Sequence, residues 1–90
     1  MNGDPTQPVG DQKALGRTVV TLREDRNLTP ETVAERAQMD VENLKSVEAG
    51  EGDLDFNSAV FIFRAIGVPM GEAAALHERF VSEEEAEDGP

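Results

Sequence analysis

The chain contains no cysteine, tryptophan or tyrosine, and only four phenylalanines among its 90 residues. Without cysteine there is no disulfide frame and no zinc site of the Cys-rich kind, so a reducing compartment is compatible. With so few aromatics, Leu, Val, Ile and Ala must supply most of the packing, and a chain of this length builds one small domain with a modest core. Long apolar runs are also missing. Nothing resembles a signal peptide in the first third, and no stretch approaches the roughly 20 apolar residues that span a bilayer. The expectation is a soluble, cytoplasmic protein with no membrane partner.

Basic residues are scarce: eight Lys plus Arg stand against nineteen Asp plus Glu, for a net charge of −11. The imbalance is uneven. From Lys13 to Phe80 the charge is −4, and the rest lies in Asp4, Asp11, Glu83, Glu84, Glu85, Glu87 and Asp88. Even −4 is unusual for a nucleic-acid binder, whose ordinary footprint is a basic patch. A catalytic set is missing as well. His77 is the one histidine, and His77-Glu78 lacks the second His of a zinc-protease helix. The Glu83–Glu85 run lacks the Gly turn and spaced ligands of a calcium loop, and there is no glycine-rich phosphate loop. His77 therefore reads as a surface or edge residue, and no catalytic residue, metal or cofactor is expected.

What the chain does have is apolar residues at helical spacing. Leu15, Val19 and Leu22 share one face of a first helix over about 13–25, with Asn27 as a left-handed stop. Thr29 precedes Pro30, and proline drives the residue before it into the extended geometry that a helix cap needs. Pro30 fits a first helical position because its missing N–H would be unpaired there. The second helix then covers 30–37, with Val33, Ala34 and Ala37 inward. Asp40 reads as the cap of a third helix, 41–48, with Leu44 and Val47 inward and Gly50 and Gly52 ending it. Asp55 caps a fourth, 56–66, whose apolar face is Phe56, Ala59, Val60, Phe63 and Ile66, and Gly67 stops it. A fifth, 70–80, turns Ala73, Leu76 and Phe80 inward. Residues 1–12 form a flexible arm and 82–90 a disordered acidic tail around a domain of residues 13–81. No segment alternates with period two, so the class is all-α.

The most informative stretch is Leu28 to Gly50. Two short helices with a tight turn need a small residue where they cross, here Ala34. Ten residues later Leu44 reaches back, Val47 completes the contact one turn on, and Met39 fills the turn. This is helix-turn-helix spacing, and the leading expectation is a DNA-binding regulator.

Together with Leu15-Gly16-Arg17, Leu22-Arg23, Leu28-Thr29, Val33-Ala34-Glu35, Val47-Glu48-Ala49-Gly50-Glu51, Phe56 and Arg64-Ala65-Ile66-Gly67-Val68, these residues resemble the Cro/CI-type helix-turn-helix family. That family, also called the xenobiotic-response-element family, includes many phage and bacterial repressors. The resemblance covers roughly residues 14–76. It implies a compact five-helix, lambda-repressor-like domain, with the third helix as recognition helix and a homodimer on double-stranded DNA of two-fold symmetry. It also implies that Arg23 pairs with Glu48, and that Arg17, Pro30, Asp40, Val41, Glu42, Lys45 and Ser46 are the DNA-facing positions.

The sequence departs from the family at several of these. Pro30 stands where a glutamine usually touches phosphate. Gln38 stands where the turn usually has glycine, at a cost of about 1 kcal/mol for positive φ. The groove-facing set contains two acids. Asp40 is read first as a cap and Glu42 as a first-turn acid favoured by the helix dipole, though Glu42 could also accept from a cytosine amino group. Val41 could touch a thymine methyl. Lys45 and Ser46 are the clear donors, with Asn43 a third. Two like charges about 6 Å apart in water repel by only about 0.7 kcal/mol before screening, so misplaced acids weaken binding without forbidding it. Attraction is scarcer, since the cations on offer are Lys13, Arg17, Arg26, Arg36 and Lys45 and not all can face one surface. Phe61, in a position the family usually keeps polar, reads first as core. If exposed, it would mark a subunit or partner contact, with Phe80 and Val81 (or Val20) as companions. The second expectation is an acidic interaction module on the same fold, binding a basic regulator or polymerase component, or mimicking DNA.

Overall fold

A computed structural model describes residues 9–51 and 54–87. It contains five helices: α1 (Val9–Asp25), α2 (Pro30–Ala37), α3 (Val41–Glu48), α4 (Phe56–Ile66) and α5 (Met70–Glu87). Among the described residues there is no strand. α1 lies along α5, its most extensive partner, and also meets α3 and α4, while α2 packs on α3 and α4.

Local chemistry starts and stops the inner helices. The Thr29 hydroxyl accepts from the Thr32 N–H at 3.1 Å, ahead of Pro30 at the start of α2. The Asp55 carboxylate accepts from the Ser58 N–H at 2.9 Å and opens α4. Hydrogen bonds from Ser58 hold the Asp55 carboxyl below its ordinary range, since they favour the charged form. α4 ends at Gly67, whose φ of 89° places it in the left-handed region that glycine enters without steric cost. Asn27 takes a φ of 58° after α1, a conformation asparagine tolerates better than most residues.

The outer helices do not stop where the apolar pattern fades. α1 is already helical at Val9, the first described residue, rather than from about residue 13. α5 runs through residues 81–87 instead of ending near 80, so the expected tail is helical as far as it is described. Residues 1–8 of the expected arm, Gly52, and residues 88–90 lie outside the described residues, as does the side chain of Phe56.

The core is a single cluster drawn from all five helices. Val19, Val33, Leu44 and Ile62 are fully enclosed, and Leu22, Phe63, Ile66, Val68 and Ala73 close around them. Ile62 does not belong to the apolar face read from spacing, yet it is completely buried, because α4 is covered from more than one side. Thr18 is also buried. Its hydroxyl donates to the Ala14 carbonyl at 2.7 Å, which satisfies the group within its own helix.

Gly16 decides how closely α1 approaches the end of α3. A Cβ there would stand 2.6 Å from the Val47 carbonyl oxygen and 2.7 Å from that of Glu48. The close approach brings Arg23 onto Glu48. Its Nε donates to Oε2 at 2.7 Å and its Nη2 to Oε1 at 3.2 Å, while Nη1 donates to the Leu28 carbonyl at 2.8 Å. One buried guanidinium thus ties α1 to the end of α3 and to the chain entering α2.

Candidate nucleic-acid interface

The α2–turn–α3 unit is fixed from the inside. Val33 and Ala34 on α2 and Leu44 and Val47 on α3 are buried. Between the helices Gln38 takes φ 59° and ψ 48°, so a non-glycine residue does occupy the left-handed position of the turn. Its N–H reaches back to the Ala34 and Glu35 carbonyls, and the Met39 N–H bonds Ala34 O at 3.0 Å. Met39 itself is half-buried against the core. Because the inner residues hold the unit, the outward side of α3 is free to serve a partner.

That outward side presents Asp40, Glu42, Asn43, Lys45 and Ser46, all exposed. Val41 does not stand with them. It is half-buried and packed against the core cluster, which leaves only part of its side chain for a thymine methyl. Pro30 is half-buried at the first position of α2. Asp40 departs from its sequence reading in a more consequential way. Its backbone is extended, as a cap residue's must be, but its carboxylate accepts no capping hydrogen bond. Thr29 and Asp55 do what Asp40 does not. Its charge is therefore not absorbed by the helix N–H groups and adds to the acidity of the surface.

The cations are mostly committed elsewhere. Arg17 is drawn to α5, with Nη2 3.0 Å from Glu83 Oε1 and Nη1 3.1 Å from Glu84 Oε2, and its guanidinium lies 4.1 Å above the Phe80 ring. The hydrogen bond to Glu84 comes first among the influences that raise the Arg17 pKa. The same stacking covers Phe80, which is buried rather than available as an interface residue. Arg36 gives an N–H to the Ala65 carbonyl at 3.2 Å, satisfying an end group of α4. Arg26 lies 4.0 Å from both Asp25 and Glu72. Lys45 makes no ion pair among the described residues, and Lys13 is exposed with its backbone against Gly50, just past α3. From Glu31 to Glu51 six acids face two cations, and only Glu48 is neutralised by a partner, Arg23.

Phe61 is not in the core where its helical spacing first places it: among the described residues it is the large apolar side chain left in the open, 55% exposed, because its side of α4 is not covered. It borders a groove of about 680 Å³ shared with Met39, Asn43, Ser46, Val47 and Leu54. Sequence reasoning finds Phe61 as an outlier but not the groove, whose walls come from three segments that only the fold brings together. Val81 is half-buried on α5 and His77 is partly exposed. Among the described residues, no group of three or more His, Asp or Glu side chains stands together as a metal site. No single helix there is long and apolar enough to cross a membrane.

No protein-family model and no curated protein sequence matches the chain. Among solved structures, the crystal structure of the wild-type restriction-modification controller protein C.Esp1396I superposes with a TM-score of 0.75, covering 79% of this chain and 93% of that one. The two chains share one five-helix fold. Sequence identity is 14%, so this likeness establishes the five-helix, lambda-repressor-like architecture and leaves the surface chemistry to be argued from this chain's own residues. In this protein the helix-turn-helix is built from a well-packed inner row and an acidic outer one.

Proposed function

We propose that the chain is a DNA-binding transcriptional regulator that lays α3 in the major groove and acts as a homodimer on a two-fold site. One observation carries this reading. Leu44 and Val47 anchor α3 in the core while Asn43, Lys45 and Ser46 remain exposed as donors on its outward side. A helix held this way can enter the groove without rearrangement. In that arrangement Lys45 and Lys13 reach phosphate, Asn43 and Ser46 reach base edges, and Glu42 accepts from a cytosine amino group. With so few cations a single copy binds weakly, and two copies on one duplex compensate.

The test is selection from a random duplex pool by the full chain, with affinity then measured across a salt series. Enrichment of one sequence, with a salt slope that falls by about 0.9 on Lys45→Ala, supports the reading. Failure to bind any duplex at low salt sinks it.

A second reading, a module that binds a basic protein, is favoured by a different observation. Asp40 and Glu42 stand exposed with no cation pairing them, and Arg17 and Arg36 are turned to intramolecular partners. Such a surface attracts positive charge more readily than phosphate.

A further inference from the structure

The groove beside Phe61 combines two properties that rarely serve the same ligand unless it is a polypeptide. Its apolar part is formed by Met39, Val47, Leu54 and Phe61, and its volume of about 680 Å³ lies within the range of real binding pockets. Its surroundings are acidic. Asp40 follows Met39 directly. Glu42 lies one turn from Ser46 on the same side of α3. Asp55 holds the N–H of Ser58, which itself lines the groove. The one cation in the lining, Arg36, already donates to the Ala65 carbonyl.

Asp40, Glu42 and Asp55 are exposed and adjoin lining residues along the chain without lining the groove themselves, so a phosphate backbone meets acids beside it and a purely apolar ligand leaves them unused. A segment with one large apolar side chain flanked by Lys or Arg matches both the floor and the rim. We propose that this groove docks a basic polypeptide segment, which seats an aromatic or aliphatic side chain against Phe61 and sets its cations on Asp40, Glu42 and Asp55. The proposal rests on the second reading above and gives it a location. Asn43 and Ser46 belong both to the groove and to the outward side of α3, so the segment and DNA exclude one another.

The chain has no Trp or Tyr, so one Trp in a probe reports on the probe alone. The experiment uses the full chain and a synthetic peptide of about twelve residues, Lys-rich with a single central Trp. The expected result is a saturable blue shift at low salt that weakens about ten-fold by roughly 0.3 M salt. Phe61→Ala weakens binding at least about five-fold and abolishes the blue shift, as loss of an interface anchor does. The pair Asp40→Asn and Glu42→Gln weakens binding about three-fold and flattens the salt dependence. All three positions are exposed, and circular dichroism checks that the helices remain.

Four outcomes overturn the proposal. Binding untouched by Phe61→Ala moves the basic partner to another surface and leaves the second reading intact. No binding of the basic peptide at low salt removes both. Equal binding of a peptide with Glu in place of Lys removes the charge argument. Phe61-dependent self-association in sedimentation gives the groove to another occupant.

Discussion

Two arginines on α1 grip carboxylates, and they do very different things. Arg23 holds Glu48 with two nitrogens, and both side chains are only 11% exposed. Arg17 holds Glu83 and Glu84, but its side chain is 40% exposed and that of Glu83 47%. Six residues of helix turn the side-chain direction by about 240°, so one guanidinium reaches the end of α3 and the other the end of α5. In the buried pair, Coulomb attraction is weakly screened and each charge depends on its partner. In the exposed one, water and salt do much of the same work. The inner clamp is thus a condition of the fold, while the outer one positions the last turns of a helix and keeps a cation occupied.

The sharpest way to break this comparison is Glu48→Ala. It leaves a buried guanidinium with the Leu28 carbonyl and, 3.9 Å away, the exposed Glu24 carboxylate, and should lower the unfolding free energy by about 3–5 kcal/mol, read from urea melts. A loss under about 1 kcal/mol would make the two arginines equivalent. Gly16→Ala tests the same clamp through the backbone. The new methyl meets two carbonyl oxygens at under 3 Å, forces α1 away from α3, and should cost about 1–3 kcal/mol. The Arg23 grip should loosen with it, so combining Gly16→Ala with Glu48→Ala should cost less than the sum of the two. Arg17→Gln should have the smallest effect. The melting temperature should fall slightly, and by less at high salt, where only the lost stacking on Phe80 still counts, while amide exchange rises in residues 81–87. If exchange there is unchanged, α5 holds its last turns without Arg17.

The same division between local and distant causes explains what was legible in the sequence. The starts of α2 and α4 were readable because Thr29-Pro30 and Asp55 act on N–H groups two or three residues away. The buried row of Val33, Ala34, Leu44 and Val47 was readable because its spacing serves a single crossing of neighbouring helices. The Arg23–Glu48 pair entered through family resemblance rather than spacing, and the structure contains it. Asp40 shows where local reading fails, since the right residue type in the right backbone conformation still makes no capping bond. The extent of α5 was not legible, because Glu83 and Glu84 meet a residue 66 or 67 positions earlier in the chain. The sequence offers Phe80 both as an inward residue of α5 and as an interface candidate, and Arg17 as a DNA contact; the structure keeps Phe80 inward and stacks Arg17 on it.

By itself the sequence determined that this is an all-α chain of five helices with a helix-turn-helix at its centre, and that its charge is strongly negative. These follow from caps, turns and apolar periods, whose causes lie within a turn or two of each residue. Tertiary structure alone decided which charges remain free on the surface. It tied Arg17 and Arg36 to partners far along the chain, left Asp40 uncapped, and opened the groove beside Phe61. A side chain's availability to a partner depends on everything that folds against it, and that is a property of the assembled chain.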